Sequence, residues 1–107
     1  MTIVVQDMWV VKPDKQAEFT KLWKRYQKYF KDNPKLFKEM KSNKTYTQMF
    51  GGTYGAYISL SEYNSLADME KLNNRSMKDP GMTKLYQEMM LLIDPVTFKS
   101  DVWTTLE

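Results

Sequence analysis

The apolar positions in the first third of the chain alternate in one segment and recur at helical spacing in the next. Residues 3–11 are rich in β-branched side chains and stop at Lys12-Pro13, which predicts a strand. Both alternating sets of this strand are largely apolar, so we expect both of its faces to be buried. Asp14 then predicts the N-cap of an amphipathic helix that runs to about Lys31 and ends at Asp32-Asn33-Pro34.

The middle of the chain predicts a short helical turn and a hairpin. Residues 35–40 carry apolar side chains that a further turn of helix would pack against the preceding one. Residues 45–50 and 56–60 predict two antiparallel strands. The glycines between these strands allow the positive φ angles of a hairpin loop.

The last third predicts a helix in two parts and a final strand. Ser65-Leu66-Ala67-Asp68 resembles an acidic capping box, and apolar residues follow it at helical spacing as far as Met77. Asp79-Pro80-Gly81 interrupts this helix, and a second apolar stripe continues until Asp94-Pro95 ends it. Residues 96–106 predict the last strand.

The resulting order, β-α-β-β-α-β, predicts the fold class. Two helical crossovers joined by a hairpin are typical of a ferredoxin-like α+β sandwich, with a four-stranded antiparallel sheet and both helices on one side. The 107 residues are enough for one domain, and we assign residues 1–107 to it. Because the first strand is apolar on both faces, the face without helices needs a cover. We therefore expect a homodimer, sheet against sheet, with an interface of about 800 Å² per subunit.

Composition excludes several kinds of chemistry. The chain has no Cys and no His, which removes disulfides, thiolate catalysis and histidine ligands for metal or haem. The net charge is +3 with basic residues spread along the chain, so nucleic acid is not the expected partner. No apolar run is long enough to span a bilayer and the N-terminus lacks signal-peptide features, so we expect a cytoplasmic protein. We expect no metal and no cofactor.

One strand carboxylate stands among aromatic residues that could form a pocket. The candidate site residues are Asp7 as the catalytic group, and Trp9, Trp23, Tyr26, Tyr57 and Trp103 as the substrate-binding walls. Such walls suit a flat aromatic ligand, and a buried Asp7 would have a raised pKa and could act as a general base. The competing interpretation is that Asp7 pairs with Lys99 or joins a local hydrogen-bond network, and that the aromatic stripe is core.

Residues 10–19 (VVKPDKQAEF) combine a strand, a lysine-proline turn and a helix start. With Leu22-Trp23 inside the helix and the later helix split near residues 79–81, the chain resembles the dimeric α+β barrel superfamily. That group includes antibiotic-biosynthesis monooxygenase-like, NIPSNAP-like and stress-responsive A/B-barrel domains. The resemblance implies a homodimer with one pocket per subunit, between the helices and the concave sheet face. It also implies activities that range from cofactor-independent oxygenation, haem degradation and isomerisation to none.

The chain departs from these families at the residues that carry their chemistry. NIPSNAP-like chains usually have an acid and an arginine in the first strand, where this chain has Val5-Gln6-Asp7. The haem-degrading branch needs a histidine. The monooxygenase branch uses asparagine and tryptophan, and here we expect no asparagine on the pocket side. The asparagines lie in predicted loops or on the second helix: Asn33, Asn43, Asn64, Asn73 and Asn74. The resemblance therefore carries over no catalytic residue.

Three functional hypotheses follow. The first is a small-molecule-binding dimeric barrel whose most concrete form is a cofactor-independent monooxygenase, with Asp7 as the proton acceptor. The second is a structural or regulatory dimer without small-molecule chemistry. The third is an RNA-binding module, because the RNA-recognition fold has the same element order. Residues 54–60 (YGAYISL) match its third-strand motif only in part, and two of the three usual stacking rings are missing.

Overall fold

The computed structural model describes residues 1–106. Its elements, in chain order, are β1 (Ile3–Val11), a 3₁₀ turn (Pro13–Lys15), α1 (Gln16–Asp32), β2 (Ser42–Thr47), β3 (Ala56–Tyr63), α2 (Leu66–Met77), α3 (Pro80–Leu92) and β4 (Ile93–Thr104). The sheet order is β2-β3-β1-β4, and every neighbouring pair is antiparallel. The helices pack on one face of this sheet. The predicted α+β ferredoxin-like architecture is confirmed.

The central strand β1 shows why the helices cover one face only. Its side chains Ile3, Trp9 and Val11 are buried among apolar residues of the helices. The alternate side chains, such as Val4 and Met8, point to the other face and are only half-buried. The expectation that both faces are buried therefore holds for one face, because no element of residues 1–106 covers the second. We call this second face the open face.

Two local predictions before β2 are wrong. Asp14 does not cap α1, because the 3₁₀ turn intervenes and Lys15 occupies the N-cap without a side-chain bond. Residues 35–40 form hydrogen-bonded turns instead of a helical turn. In these turns the amide of Leu36 donates to the carbonyl of Asn33, and the amide of Met40 donates to that of Phe37.

The strand β2 lies three residues earlier than the predicted segment 45–50. The cause is β3, which continues to Tyr63 and therefore needs partners at residues 42–47 for its pairing. The hairpin loop is confirmed between these strands. Gly51 and Gly55 have φ angles of 125° and 81°, a region that residues with a side chain rarely adopt.

The second half of the chain matches the pattern closely. Ser65 caps α2, with its hydroxyl accepting the amide of Asp68 at 3.1 Å. Asp79 caps α3 in the same way, so the predicted interruption at residues 79–81 is confirmed. The last strand starts earlier than residue 96 and is irregular beside Trp9, where the amide of Val10 donates to the Thr97 hydroxyl at 2.9 Å. No helix within residues 1–106 is both long and apolar enough to cross a membrane.

Candidate functional site

A cavity of about 290 Å³ lies between the sheet and the helix layer. Aromatic side chains form one end of it: Trp9, Trp23, Tyr26, Phe30 and Phe98. Its floor on the sheet is polar and consists of Asp7, Asn43, Ser59 and Ser61. Its volume is at the small end of the range for ligand pockets, which suits a molecule of one or two rings.

The polar floor follows from the pairing of the strands. Ser59 of β3 is paired with Asp7 of β1, and Asp7 is paired with Ser100 of β4. One step along β3, Ser61 is paired with Asn43 of β2. Residues directly opposite each other on neighbouring strands point to the same face. The register therefore brings Asp7, Asn43, Ser59 and Ser61 together on the face that the helices cover, with Ser100 beside Asp7, and we call the four residues that line the cavity the polar floor.

Asp7 is the only carboxylate of the polar floor. Its Oδ1 accepts a hydrogen bond from the Ser100 hydroxyl at 2.6 Å. Burial raises the pKa of Asp7 because the ionised form loses hydration, and the bond from Ser100 opposes this effect in part. Lys99 does not pair with Asp7, because it lies on the open face and its amine is 3.6 Å from Asp101. Asp7 thus has a hydroxyl partner and no cationic one among residues 1–106.

Asn43 joins the two serines of the polar floor. Its side-chain nitrogen donates to Ser59 Oγ at 3.0 Å and to Ser61 Oγ at 2.8 Å. Both serines are buried. The hydrogen bonds fix the amide across two strand positions, so the donors and acceptors of this part of the floor have defined directions.

The aromatic end is a packed cluster around Trp9. The Trp9 ring centroid is 5.5 Å from that of Trp23 and 6.5 Å from that of Phe98. The indole N–H groups of Trp9 and Trp23 are buried, and neither has a hydrogen-bond partner within the described residues. Buried donors are usually satisfied, so two unpaired donors on residues that line one cavity are consistent with a ligand acceptor there.

The opposite end of the cavity includes Phe37, Met40 and Tyr63. Burial raises the pKa of Tyr63 to about 12, and the nearby negative charges of Asp7 and Glu39 add to this effect. Tyr63 therefore stays protonated at neutral pH. Arg75 of α2 fixes the segment that carries Phe37 and Met40, because its guanidinium binds both Glu39 carboxylate oxygens, at 2.8 and 2.6 Å.

The structure brings four of the six predicted site residues to this cavity: Asp7, Trp9, Trp23 and Tyr26. Tyr57 lies behind Trp9, where its ring stacks on the indole at 6.0 Å and its hydroxyl donates to Gln16 Oε1. Trp103 does not line the cavity. It is paired with Val4, whose side chain points to the open face, and it is 56% exposed. Because its side chain lies on the opposite face of the sheet from the polar floor, Trp103 cannot contact a ligand bound there.

Several cavity residues escaped the sequence interpretation. The expectation that no asparagine reaches the pocket is wrong, because Asn43 lies on β2 and Asn73 on α2, and both line the cavity. Ser61 and Tyr63 were missed because the predicted third strand ended at residue 60. A usable signal was present: residues 59–63 continue the alternation of β3, with Ser59, Ser61 and Tyr63 on one face.

The residues present define what the cavity can do chemically. Within residues 1–106 no group of three or more acidic side chains is placed to hold a metal ion. The cavity instead offers one carboxylate with a raised pKa, several hydroxyl and N–H donors, and aromatic walls. This set can bind a planar molecule, accept a proton from it and hold the oxygen that results.

Comparison with known proteins places the fold. No family model and no curated protein sequence matches the chain. A NIPSNAP family protein from Agrobacterium tumefaciens is similar in structure, with a TM-score of 0.80 over 100% of this chain and 95% of that chain, at 15% identity. SnoaB, a cofactor-independent oxygenase from Streptomyces nogalater, gives a TM-score of 0.71 over 99% and 94%, at 12% identity. An antibiotic biosynthesis monooxygenase gives 0.74 over 98% and 99%, at 10% identity.

This chain has the fold of these proteins. The resemblance drawn from the sequence is confirmed at that level. The identities of 10–15% show the fold alone, so any chemistry has to be argued from the residues of this chain's own cavity.

Proposed function

We propose that the protein binds a small planar aromatic molecule in the cavity and oxygenates it without a cofactor. The observation that carries the proposal is Asp7, a carboxylate with a raised pKa at the foot of an aromatic-walled cavity. An ionised carboxylate on a buried strand face costs free energy when no cation pairs with it. Carboxyl groups with shifted pKa values in clefts are therefore candidates for functional residues. The fold is also that of SnoaB, a cofactor-independent oxygenase.

In this proposal the aromatic residues bind the substrate and Asp7 accepts its proton. An electron-rich phenol is held between aromatic walls, which position it and exclude water. Asp7 accepts the phenol proton, and the hydrogen bond from Ser100 keeps the carboxyl group oriented. The resulting anion can transfer an electron to O₂ directly, and the two radicals then combine to form a carbon–oxygen bond. The ring C–H bond and the O–O bond break, the second oxygen atom leaves as water, and the substrate, which becomes a quinone, supplies all the electrons. The protein supplies desolvation, orientation and a proton acceptor.

We also propose that a second copy of this chain covers the open face. That face carries half-exposed apolar side chains on its central strands, including Val4, Met8, Ile58 and Leu60, and the exposed ring of Trp103 at its edge. Large apolar side chains on an uncovered sheet face are a common feature of protein–protein interfaces, and the charged residues among them, such as Lys99 and Asp101, would lie at polar positions of the interface. A two-fold interface of about 800 Å² per subunit would cover it.

A non-enzymatic binding protein is the second candidate, and the unpaired indole donors support it equally. RNA binding has less support. An RNA-recognition sheet needs stacking rings on the face without helices. The aromatic ring of the third-strand match belongs to Tyr57, which faces the helices and stacks on Trp9.

Oxygen uptake tests the proposal and separates its two forms. The protein is incubated with a panel of hydroxynaphthalenes and isotopically labelled O₂, and product oxygen is measured by mass spectrometry. We expect one labelled atom per product, and a turnover about 10²–10⁴-fold lower in the Asp7→Asn variant. Tight binding without label incorporation would favour the non-enzymatic form. Absence of both binding and uptake across the panel would refute the proposal.

A further inference from the structure

We propose that Asn43 is a positioning residue that makes Ser59 and Ser61 a pair of hydrogen-bond donors for an oxyanion of the ligand. The inference rests on the proposed function, since it names the ligand group that the same cavity receives. The phenolate-type oxygen of the ligand would lie over the two serine hydroxyls, one strand away from Asp7.

The number of donor hydrogens and lone pairs on Asn43 and the two serines determines which atoms can donate. An asparagine amide carries two N–H hydrogens, and a serine hydroxyl carries one hydrogen and two lone pairs. The Asn43 nitrogen donates to Ser59 Oγ at 3.0 Å and to Ser61 Oγ at 2.8 Å. Each serine oxygen therefore acts as an acceptor toward Asn43, and its own hydrogen has to point elsewhere.

Neither serine hydroxyl hydrogen has an acceptor within residues 1–106. Both serines are buried and both line the cavity. Within residues 1–106, the hydrogen bonds that reach either hydroxyl are the two from Asn43. A buried donor without an acceptor is costly, and here two such donors lie on one strand face. An oxygen that accepts both hydrogens would satisfy them together, as donors do in an oxyanion hole.

The charge balance with Asp7 supports an oxyanion that forms inside the cavity. A second negative charge beside an ionised Asp7 would be strongly unfavourable. The conflict disappears when the ligand's O–H bond breaks and its proton forms an O–H bond on the Asp7 carboxylate. The cavity then holds one negative charge before and after the transfer, and the serine pair stabilises it in its new position. Tyr63, an ionisable group at the opposite end of the cavity, stays neutral.

The experiment uses 4-nitrophenol, whose phenol and phenolate forms differ in visible absorbance. The full chain carries Asp7→Asn, so that the probe titrates without a coupled carboxyl group. We expect the pKa of the bound probe to lie below that of free 4-nitrophenol. Asn43→Asp keeps the side-chain shape but turns a donor into an acceptor, so both serine hydrogens reverse toward residue 43. We expect this variant to weaken the acidity of the bound probe about tenfold or more.

A double-mutant cycle separates positioning from the added charge. We expect the paired Ser59→Ala and Ser61→Ala variant to raise the probe pKa, and Asn43→Asp to have a much smaller effect when the serines are absent. Tyr46→Phe is the matched control, because it removes a hydroxyl from the same strand on the open face, where Tyr46 is paired with Ile58. It should leave the probe pKa unchanged. Circular dichroism confirms that each variant is folded.

The change in the pKa of the bound probe distinguishes the possible roles of Asn43 and the serines. If Asn43→Asp shifts the probe pKa equally with and without the serines, Asn43 acts through its own charge and the inference is overturned. If 4-nitrophenol and nitrobenzene bind alike at every pH and no serine variant changes this, the oxyanion role fails while the pocket stands. If neither probe binds, the proposed function fails and the inference falls with it. A serine-dependent shift supports the inference.

Discussion

The two faces of the sheet are built from the same four strands but have opposite mismatches between polarity and burial. The face under the helices is buried, yet it carries Asp7, Ser59 and Ser61 in its middle. The open face has no cover within residues 1–106, yet it carries Met8, Ile58 and other apolar side chains. Alternation along β1 and β3 produces both faces at once, because a strand that places a polar group on one side places its neighbours on the other.

The covered face lacks hydrogen-bond partners for some of its polar groups, and the open face lacks a surface that would remove its apolar groups from water. Polar groups in a buried cavity cost free energy unless something satisfies them, and the polar floor has donors left over. Apolar groups on a surface cost free energy unless something removes them from water. The proposed small molecule with an acceptor oxygen would meet the first need, and the proposed second copy of the chain would meet the second. Each face can therefore be tested by changes that leave the other untouched.

The largest expected effect contrasts two tryptophans on opposite faces. Trp9 is 1% exposed and Trp103 is 56% exposed. Truncation of Trp9 to Ala removes the centre of the aromatic cluster and should lower the free energy of unfolding by about 3–5 kcal/mol. Truncation of Trp103 to Ala should cost less than about 1 kcal/mol in the isolated chain. Urea denaturation at low protein concentration measures both. Equal losses would contradict the asymmetry of the faces.

The next effect concerns the partner on the open face. Ile58→Asp places a charge in the middle of that face, where a second copy would bury it without a counter-ion. We expect the dimer to dissociate at least about 100-fold more readily. Light scattering after size exclusion should then give about 12.7 kDa in place of twice that mass. Lys24→Asp, on the exposed side of α1, is the control and should not change the mass.

A smaller effect appears in the pH dependence of stability. Burial raises the pKa of Asp7 above its unfolded value of 3.8. The folded state then binds the proton more tightly than the unfolded state, so wild-type stability falls as the pH rises from 3.8 through the folded-state pKa. The Asp7→Asn variant lacks this loss. We expect the variant to gain stability relative to wild type over that pH range. A constant difference between the two proteins at every pH would show that folding does not raise the pKa of Asp7.

The contrast between β1 and β2 shows what the sequence could predict. The bounds of β1 were predicted in full, because a dense run of β-branched residues and a Lys-Pro stop mark both ends. The same holds for the Ser65 cap, whose bond to the Asp68 amide is purely local. The strand β2, Ser42–Thr47, has no comparable pattern. Its position depends on the length of β3, which is a property of pairing and not of local composition.

The same distinction holds for the cavity: residues of β1 could be placed from the sequence, and residues whose face depends on strand pairing could not. Asp7 and Trp9 stand in a strand whose alternation gives their shared face, so their meeting at one cavity followed from the pattern. Asn43 could not be placed because its face depends on the register of β2. Trp103 was misplaced for the related reason that its face depends on the pairing of β4 with β1, in which Trp103 lies opposite Val4.

The smallest expected effect tests whether ligand binding requires Arg75 to hold the segment that carries Phe37 and Met40 at the end of the cavity. Two Arg–Glu pairs of like chemistry allow a matched comparison: Arg75 with Glu39, and Arg25 with Glu88. The Glu39 side chain is 9% exposed, and its partner Arg75 also binds the carbonyl of Leu36 at 2.9 Å, next to the cavity residue Phe37. The Glu88 pair ties α3 to α1 outside the cavity.

The bonds from Arg75 lower the pKa of Glu39 from 4.5 to about 2. A carboxyl group with a depressed folded-state pKa stabilises the fold above its unfolded pKa, and this contribution is lost as the pH falls from 4.5 toward 2. Glu39→Gln should remove that part of the acid-induced loss and weaken 4-nitrophenol binding roughly fivefold, as expected for one displaced wall contact. Glu88→Gln should leave binding unchanged. Equal effects of the two variants on binding would mean that the segment around Phe37 holds its position without Arg75.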